Sequence, residues 1–409
     1  MRVLVLGAGG VGEVAARGLA RAQGVEHVTV ADVRPERAHE VVQAIRSTVS
    51  ASAAAVDASD GEQVARAAAG HDAVVHAGLP RHNLTVMEAC LEAGAHYLDM
   101  ASDGPVELPG LVTVQQQMRY DERFRARSLI ALLGIGVDPG LTNIFARYAS
   151  EDLDRMDEVV VYDGDNSVLR GHEFALPFSP ETSIEECLQP PLSYRDGRFV
   201  QGEPLDTGVE VFEFPRPVGP LTVRSVSHEE TGTIPLFWPE LKRCEFKYAL
   251  SDEYVAVLRV LKKLGFDREE PVLVDGHPVV PRKVVAALLP EPARLAGELE
   301  GHSCVGTWVK GVKDGQEVEQ YIYTLSSHAD ARRLAGANVT VWQAGTPPVL
   351  AVEMIADGTI RERGALVPEQ LDPNPWIERL PAWGMPVYVW ETRLRTATPL
   401  APRSRGGAG

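Results

Sequence analysis

The first 140 residues alternate short apolar runs with alanine-rich stretches of helical periodicity, and this alternation constrains the fold more than any other feature. Six runs have the length and composition of strands, namely RVLVLGA, HVTVAD, SAAAVDAS, DAVVHAG, HYLDMA and LIALLGIGV. Helices are predicted between the first five runs, over Val11–Gln23, Pro35–Ser47, Gly61–Ala69 and Asn83–Ala93. Because strands joined by helical crossovers pair in parallel, the sequence predicts an α/β protein with a Rossmann-type doubly wound parallel sheet.

The pattern changes after about residue 145, where strand candidates are joined by proline and glycine turns. A hairpin is predicted from Thr307–Lys313 to Glu317–Leu325, and one helix at Ser251–Leu264. This region is predicted to be a second, mixed α/β domain. The helix Pro347–Asp357 and a last strand, MPVYVW, are expected to return to the first domain. The predicted domains are therefore 1–143 with 340–395, then 144–339, followed by a flexible tail at 396–409.

Charge and apolar content narrow the class of protein. The chain has 40 basic and 57 acidic side chains, a formal charge of −17, which disfavours nucleic acid and anionic membrane surfaces as partners. Its longest apolar segment, Leu129–Val137, is far too short to cross a bilayer. The four cysteines are scattered without a CxxC pair, so no metal site and no disulfide framework is predicted. We expect a cytoplasmic protein with reduced thiols.

The motif GAGGVG lies between the first predicted strand and the first predicted helix. Gly7 suits the tight turn, Gly9 lets a pyrophosphate approach the backbone, and Gly12 lets the helix pack closely on the strand. Gly10 and Val11 begin the helix, whose N–H groups and positive dipole end favour phosphate. The motif predicts a dinucleotide site, although a glycine turn that binds nothing is the alternative.

An acidic residue, Asp32, ends the second strand about twenty residues after this motif. A carboxylate there binds a ribose diol and repels a 2′-phosphate, so NAD is predicted rather than NADP. Val33 follows it, and Arg34 could attract a 2′-phosphate or stack on adenine. Asp57 and the segment Gly78–Leu79–Pro80 end later strands, where adenine and nicotinamide would lie; plain turns are the alternative at both places.

Two further acids, Asp99 and Asp138, end the fifth and sixth predicted strands, and ligands of open parallel sheets lie at this edge. A new helix is predicted from Leu141, so the N–H groups around Gly140 and Thr142 could bind a substrate carboxylate while Asp138 binds its ammonium group. An amino acid carries both groups. Alternatively, Asp138 only caps the turn or helix.

The segment VSHEETGTIP is predicted to be a polar loop that holds His228, Glu230 and Thr233. A histidine exchanges protons near neutral pH, which the oxidation of an amine requires. These three residues are candidates for proton transfer and substrate binding, and an ordinary exposed histidine is the alternative.

Several of these segments together resemble the saccharopine dehydrogenase family, in its lysine 6-dehydrogenase-like and carboxynorspermidine dehydrogenase-like branch. They are GAGGVG with Asp32, HAGLPRHNLTVMEACLEAGAHYLDMA, LLGIGVDPGLTNIFA, SHEETGTIP, GTWVKGVKDG and AGTPPVLAVEMI. The resemblance covers nearly all of residues 1 to 395. It implies a Rossmann domain completed by C-terminal elements, a mixed domain that also makes dimer contacts, and nicotinamide-dependent chemistry at a carbon–nitrogen bond.

We therefore expect an NAD-dependent oxidoreductase that acts on an amino acid or amine, in a homodimer. The main prediction is a lysine 6-dehydrogenase-like oxidative deamination through an imine. His228, Asp99 or Asp138 would be the base, and Glu230 would close the cleft together with His228. One alternative is an imine reductase of the saccharopine or carboxynorspermidine type, which joins an amine to a carbonyl compound. Another is a non-catalytic NAD-sensing protein.

Overall fold

The computed structural model describes residues 1–102 and 114–393, so the predicted tail at 396–409 lies outside the described residues. In this part of the chain the strands are β1 (Arg2–Leu6), β2 (His27–Asp32), β3 (Ser50–Ala55), β4 (Ala73–His76), β5 (His96–Asp99), β6 (Ile130–Leu132), β7 (Arg155–Asp165), β8 (Val168–Leu169), β9 (Leu192–Arg195), β10 (Arg198–Gln201), β11 (Glu210–Phe214), β12 (Gly219–Ser225), β13 (Arg243–Ala249), β14 (Val272–Val274), β15 (His277–Val279), β16 (Leu299–Glu300), β17 (His302–Lys313), β18 (Gln316–Ser327), β19 (Gly364–Leu366) and β20 (Val387–Arg393).

The helices are α1 (Gly10–Leu19), α2 (Pro35–Ala44), α3 (Gly61–Ala68), α4 (Asn83–Ala93), α5 (Val114–Met118), α6 (Asp121–Ala126), α7 (Leu141–Asp152), α8 (Pro180–Leu188), α9 (Glu229–Phe237), α10 (Asp252–Leu264), α11 (Pro281–Leu288), α12 (His328–Ala335), α13 (Val339–Gly345), α14 (Pro347–Ala356) and α15 (Asn374–Arg379). Short 3-10 turns lie at Pro80–His82, Pro292–Gly297, Pro368–Gln370 and Leu380–Trp383. Among the described residues, none of the helices combines the length and the apolar character that a bilayer crossing needs.

The first sheet has seven parallel strands in the order β19-β6-β5-β4-β1-β2-β3, which confirms the predicted doubly wound sheet. Strand β1 shows why its sequence is apolar throughout. Val3 and Val5 pack in a cluster with helix α1, whereas Leu4 and Leu6 pack in a cluster with helix α4. Because successive side chains point to opposite faces, a sheet covered on both faces needs an apolar residue at every position.

The second sheet is mixed and has nine strands. Its main path is β10-β9-β13-β7-β17-β18-β20, with β12 paired to β13 and β11 paired to β12. Strands β13 and β7 are parallel, and the other pairs are antiparallel. The predicted hairpin is confirmed as β17–β18, and its turn places Asp314 at φ 53° and Gly315 at φ 72°. These positive φ values are what a two-residue hairpin turn of this twist requires.

Helix α7 joins the two domains through one continuous core. Its Ile144 and Phe145 belong to the same buried cluster as Val305, Val309 and Ile322 of the second sheet and the α1-facing side of the first sheet. Strand β7 follows directly after α7 and begins the second sheet. The position of the first sheet's carboxyl edge is thereby fixed relative to the second sheet.

The C-terminal segment divides between the sheets. Strand β19 pairs with β6, and helices α13 and α14 pack against α1, as expected for a segment that returns to the first domain. Strand β20 instead pairs with β18 in the second sheet, with Val389 opposite Ile322. The prediction that this last strand lies against the first domain is therefore wrong. The hairpin offers β20 a long unpaired strand edge, and an apolar strand sequence does not specify which edge it joins.

Candidate active site

A cavity of about 560 Å³ lies at the carboxyl ends of the first sheet's strands, between that sheet and the second domain. At one end it is lined by most of the residues predicted to bind a dinucleotide: Gly7, Gly9, Val11, Asp32, Val33, Arg34, Asp57, Gly78, Leu79 and Pro80. At the other end it is lined by Asp138, Asp163, Glu186 and His228. The cavity therefore joins the predicted dinucleotide site to a cluster of titratable side chains.

The glycine loop has the geometry of a phosphate cradle. Gly7 has φ 107°, and a Cβ on it would lie 2.6 Å from the carbonyl oxygen of Ala77. A Cβ on Gly9 would meet nothing within 4 Å, and Gly9 caps helix α1 without a side-chain hydrogen bond. Open space thus lies over a helix N-terminus, where backbone N–H groups favour an anion. The loop fits the pyrophosphate of a dinucleotide.

The other two loop glycines are needed for packing. A Cβ on Gly12 would lie 1.9 Å from the carbonyl oxygen of Gly7, so only glycine lets α1 approach β1 this closely. A Cβ on Gly10 would lie 3.0 Å from Cγ1 of Val341. Neither residue is among those that line the cavity. Gly12 therefore has the packing role that was predicted, while Gly10, which was predicted to contact the cofactor, faces the returning C-terminal segment.

Asp32 lies at the edge of the glycine loop and accepts two backbone hydrogen bonds there. Its Oδ2 accepts a hydrogen bond from the N–H of Ala8 at 2.8 Å, and its Oδ1 accepts one from the N–H of Arg34 at 2.9 Å. The Arg34 guanidinium lies 3.6 Å from the same Oδ1 and 3.5 Å from Glu291. Asp57 is used locally, because its Oδ1 accepts hydrogen bonds from the backbone and the hydroxyl of Ser59, which lower its pKa.

The opposite end of the cavity holds three acids from three different elements. Asp138 follows β6, Asp163 lies on β7 and Glu186 lies on α8. Burial and the negative charge of Asp165 raise the pKa of Asp163 to about 7, and its carboxyl hydrogen-bonds to Asp138. Burial raises the pKa of Asp138 well above its usual value and that of Glu186 to about 8. The carboxyl groups therefore hold protons near neutral pH until a cation replaces them.

His228 lies beside these acids, and Glu230 and Phe246 hold its ring in one orientation. Its Nδ1 hydrogen-bonds to Oε2 of Glu230, and its ring stacks on Phe246 at 3.8 Å between centroids. Glu230 is fully buried, and its Oε1 accepts a hydrogen bond from the Thr142 hydroxyl at 2.7 Å. Burial alone would lower the pKa of His228, but Glu230 and its acidic neighbours outweigh burial and raise it well above the usual value. His228 is therefore a protonated imidazole at neutral pH.

Asp99 does not reach the cavity, contrary to the prediction. Its Oδ2 accepts hydrogen bonds from the Tyr97 hydroxyl at 2.7 Å and the Gln117 amide at 2.6 Å, and its Oδ1 accepts one from the N–H of Gly134 at 2.6 Å. Asp99 is two residues after Tyr97 on β5, so both side chains point to the sheet face that α4 covers. Asp99 ties β5 to the chain after β6, and the prediction that it contacts substrate is wrong.

The prediction of an anion site at the start of α7 is also wrong, because the N–H groups there already donate hydrogen bonds to oxygen atoms of the protein. The N–H of Gly140 donates to Oδ1 of Asn143, that of Leu141 donates to the carbonyl of Gly136, and that of Thr142 donates to the carbonyl of Val137. A substrate carboxylate would find no free donor among these three. Asp138 itself lines the cavity. It does not cap helix α7, whose N-cap residue is Gly140.

Thr142 and Thr233 position other groups instead of contacting substrate. The Thr142 hydroxyl donates to Glu230, and the Thr233 hydroxyl accepts a hydrogen bond from the side-chain amide of Asn143 at 3.2 Å. Neither lines the cavity, and neither does Glu230. The segment that carries Glu230 and Thr233 is the buried helix α9 rather than the predicted polar loop. Glu229, Glu230 and Thr233 are buried in it with hydrogen bonds to other groups of the protein. The buried hydroxyl of Thr231 has no hydrogen-bond partner among the described residues.

Two residues of the acidic end, Asp163 and Glu186, were missed from the sequence. Asp163 follows the predicted strand Val159–Tyr162, and its position at the end of an apolar run is the signal that could have identified it. Glu186 lies on α8, a helix that was not predicted, and only the tertiary structure brings it to the cavity. Donor atoms of His228, Glu229 and Glu230 also lie within 4.8 Å of one another, but Glu230 already bonds His228 and Glu229 accepts the N–H of Ser102.

Comparison with known proteins finds two family models along the chain. Residues 3–132 match the model of the saccharopine dehydrogenase NADP binding domain, and residues 136–385 match that of the saccharopine dehydrogenase C-terminal domain. The chain is 32% identical to carboxyaminopropylagmatine dehydrogenase of Synechocystis, over 94% of this chain and 96% of that protein. It is 33% identical to carboxynorspermidine synthase of Vibrio alginolyticus, over 96% of this chain and 97% of that protein.

Solved structures show the same fold at low sequence identity. Apo saccharopine dehydrogenase (L-Glu forming) of Saccharomyces cerevisiae has a TM-score of 0.71 at 14% identity, covering 96% of this chain and all of that chain. Homospermidine synthase of Legionella pneumophila, in complex with NAD, has a TM-score of 0.68 at 17% identity, covering 98% of this chain and 94% of that chain.

The two roles of the loop glycines can be separated by matched substitutions. Gly12→Ala places a methyl group against the Gly7 carbonyl, so it should lower the free energy of unfolding by about 1–3 kcal/mol without any ligand. Gly9→Ala adds the same methyl group to open space, so its unfolding should match the wild type while dinucleotide binding weakens. Denaturant unfolding and fluorescence titration with NADH measure both. Normal NADH binding by Gly9→Ala would contradict the cradle.

The charge of Glu230 should control the protonation of His228. Glu230→Gln keeps an oxygen that can accept the Nδ1–H bond but removes the negative charge, so the pKa of His228 should fall. The protonated fraction of His228 at pH 8 should then decrease. Any activity that needs the imidazolium should begin to decline at a lower pH than in the wild type. Histidine-selective NMR titration measures the change, with Thr142→Val as the control that retains the charge. An unchanged His228 titration would contradict this assignment.

Proposed function

The chain belongs to the saccharopine dehydrogenase family, and we propose that it is an NAD(P)H-dependent reductase that joins an amine to a carbonyl compound through an imine. It is an oxidoreductase with a pyridine-nucleotide domain and acts on carbon–nitrogen bonds. The names of its relatives at 32–33% identity describe carboxyl-bearing derivatives of polyamines, and their similarity extends over almost the whole chain.

The observation that carries the proposal is the acidic end of the dinucleotide cavity. Asp138, Asp163 and Glu186 line it, and the one lysine or arginine among the described lining residues is Arg34, at the opposite end. An amine substrate is a cation that these carboxylates attract. Both relatives at 32–33% identity are named for polyamine-type compounds that carry an added carboxyl-bearing group, and such a compound forms when an amine is joined to a carbonyl compound. We therefore favour this reaction over the lysine 6-dehydrogenase-like oxidation that the sequence led us to expect.

The side chains divide the chemistry between proton removal and proton supply. The ionised member of the Asp138–Asp163 pair accepts a proton of the ammonium group, which leaves a neutral amine that attacks the carbonyl carbon. In the adduct the nitrogen passes one proton to the former carbonyl oxygen and the protonated imidazole of His228 donates a second, so that the oxygen leaves as water and a protonated imine forms. Bound NAD(P)H supplies the hydride that reduces the imine carbon. Phe246 and Glu230 hold the His228 ring in one orientation throughout.

The direct test is a matrix assay with purified enzyme. NADH or NADPH is combined with di- and polyamines, with aldehydes and keto acids, and with every pair of the two, and absorbance at the reduced-nicotinamide band is followed. Coenzyme oxidation should require both partners, and mass spectrometry should find a secondary amine.

Two other outcomes would replace the proposal. Reduction of NAD by lysine alone would favour the lysine 6-dehydrogenase-like reaction. Dinucleotide binding without turnover for any combination would favour a sensing protein.

For the coenzyme we propose NAD(H), because of the Asp32 carboxylate. Asp32→Asn keeps an oxygen to accept the N–H of Ala8 but removes the charge that opposes a 2′-phosphate. The ratio of kcat/KM for NADPH to that for NADH should rise about tenfold, which corresponds to about 1.4 kcal/mol. Adding Arg34→Ala to this variant should reverse part of the gain, since Arg34 is the cation next to that position. A wild-type preference for NADPH would contradict the assignment.

A further inference from the structure

The Arg34 guanidinium, at the coenzyme end of the cavity, lies between two acids from distant parts of the chain. It is 3.6 Å from Oδ1 of Asp32, at the end of β2, and 3.5 Å from Oε1 of Glu291, which is 257 residues further along. Arg34 is the one lysine or arginine among the described residues that line the cavity. Both acids therefore act on the cation that a 2′-phosphate of the coenzyme would meet.

Glu291 is held in this place by the segment that follows it. The carbonyl of Pro292, the next residue, accepts a hydrogen bond from the buried side-chain amide of Asn338 at 3.1 Å. The 3-10 turn that begins at Pro292 packs against α1, and a Cβ on Gly10 would lie 3.6 Å from Cα of Ala293 in this turn. Because Gly10 belongs to the glycine loop, the turn holds Glu291 beside the coenzyme end of the cavity.

The ion pair between Arg34 and Glu291 changes the local charge more than it stabilises the fold. About half of each side chain is accessible to solvent, 53% for the arginine and 47% for the glutamate. Exposed ion pairs contribute little to stability, so removal of this one should leave the fold intact. Glu291 also pairs with Arg294 at 3.1 Å, so the glutamate offsets the positive charge of two arginines.

This arrangement opposes a phosphorylated ribose more than a plain ribose. A 2′-phosphate carries about two negative charges at neutral pH, and a free guanidinium is the side chain that binds such a group best. To form that contact Arg34 would have to leave Glu291, whose carboxylate would then repel the phosphate. The 2′-hydroxyl of NAD carries no charge and meets no such repulsion.

We propose that Glu291 is a second specificity-determining residue for the coenzyme, and that it lowers the affinity for NADP(H) by pairing with Arg34 and offsetting its charge. This inference rests on the proposed binding of NAD(H), which it extends from Asp32 to a residue from a distant part of the chain. It concerns binding, so it does not depend on which amine or carbonyl compound reacts.

The test is a fluorescence titration of each variant with NADH and with NADPH, which gives the ratio of the two dissociation constants without any turnover. Glu291→Gln should raise the affinity for NADPH relative to that for NADH about fivefold, the effect expected when one exposed charge contact is removed. Glu300→Gln is the control, because it removes the same charge from an exposed pair with Arg170 that does not line the cavity. This control should leave the ratio as it is, and thermal unfolding checks that both variants are folded.

The double variant that combines Arg34→Ala with Glu291→Gln shows whether the effect passes through Arg34. If it does, Glu291→Gln should change the ratio by less than about twofold once Arg34 has been replaced. An unchanged ratio in Glu291→Gln, an equal change in Glu300→Gln, or a full change in the Arg34→Ala background would overturn the inference. A wild-type preference for NADPH would contradict the proposed coenzyme, and the change produced by Glu291→Gln would still decide the role of Glu291.

Discussion

The buried polar contacts at the start of helix α7 hold the candidate site together. The Asn143 side chain accepts a hydrogen bond from the N–H of Gly140 and donates to Thr233 on α9 and to Glu369 of the C-terminal segment, at 2.7 Å in the last case. Its neighbour Thr142 donates to Glu230. Two distant parts of the chain, α9 and the C-terminal segment, are thus hydrogen-bonded to two adjacent residues of α7. Because unpaired polar groups are costly in a core, this arrangement permits few alternatives, and it fixes Glu230 and therefore His228.

The parallel sheet and the second domain each supply a different half of the site. The carboxyl edge of the first sheet supplies the glycine loop, Asp32 and Asp138, while β7, α8 and the residue before α9 supply Asp163, Glu186 and His228. Neither domain contains the whole constellation. Reactive groups from two bodies can be held at a fixed separation only if the bodies share a core, and α7 provides that shared core.

The parts of this structure that could be predicted from sequence are those with a local physical cause. Alternating strands and helices, the GAGGVG loop and the Asp314–Gly315 turn are each dictated by a few adjacent residues, and the structure has them. The wrong or missing predictions concern the direction in which a side chain points and the residues that it meets in the folded protein. Asp99 and Asp138 were both predicted to end strands, but β6 ends at Leu132 and Asp138 lies beyond it, in the segment before α7. Asp99 does end β5, and the alternation of side chains along that strand turns it away from the cavity. Glu186 reaches the cavity through a helix whose position depends on arginines far along the chain, and no local pattern encodes that.

The electrostatics of the cavity favour one orientation for the two reactants. At the glycine loop, the N-terminus of α1 presents partial positive charge, which suits the diphosphate of a dinucleotide. About the far end, burial and mutual repulsion keep Asp138, Asp163 and Glu186 partly protonated until a cation arrives, which limits the cost of their burial in the meantime. When a cationic amine binds, the carboxyl groups release those protons and pair with the amine as carboxylates. Under the proposed function, an anionic coenzyme and a cationic amine would be drawn to opposite ends of a single cavity, and hydride transfer would take place between them.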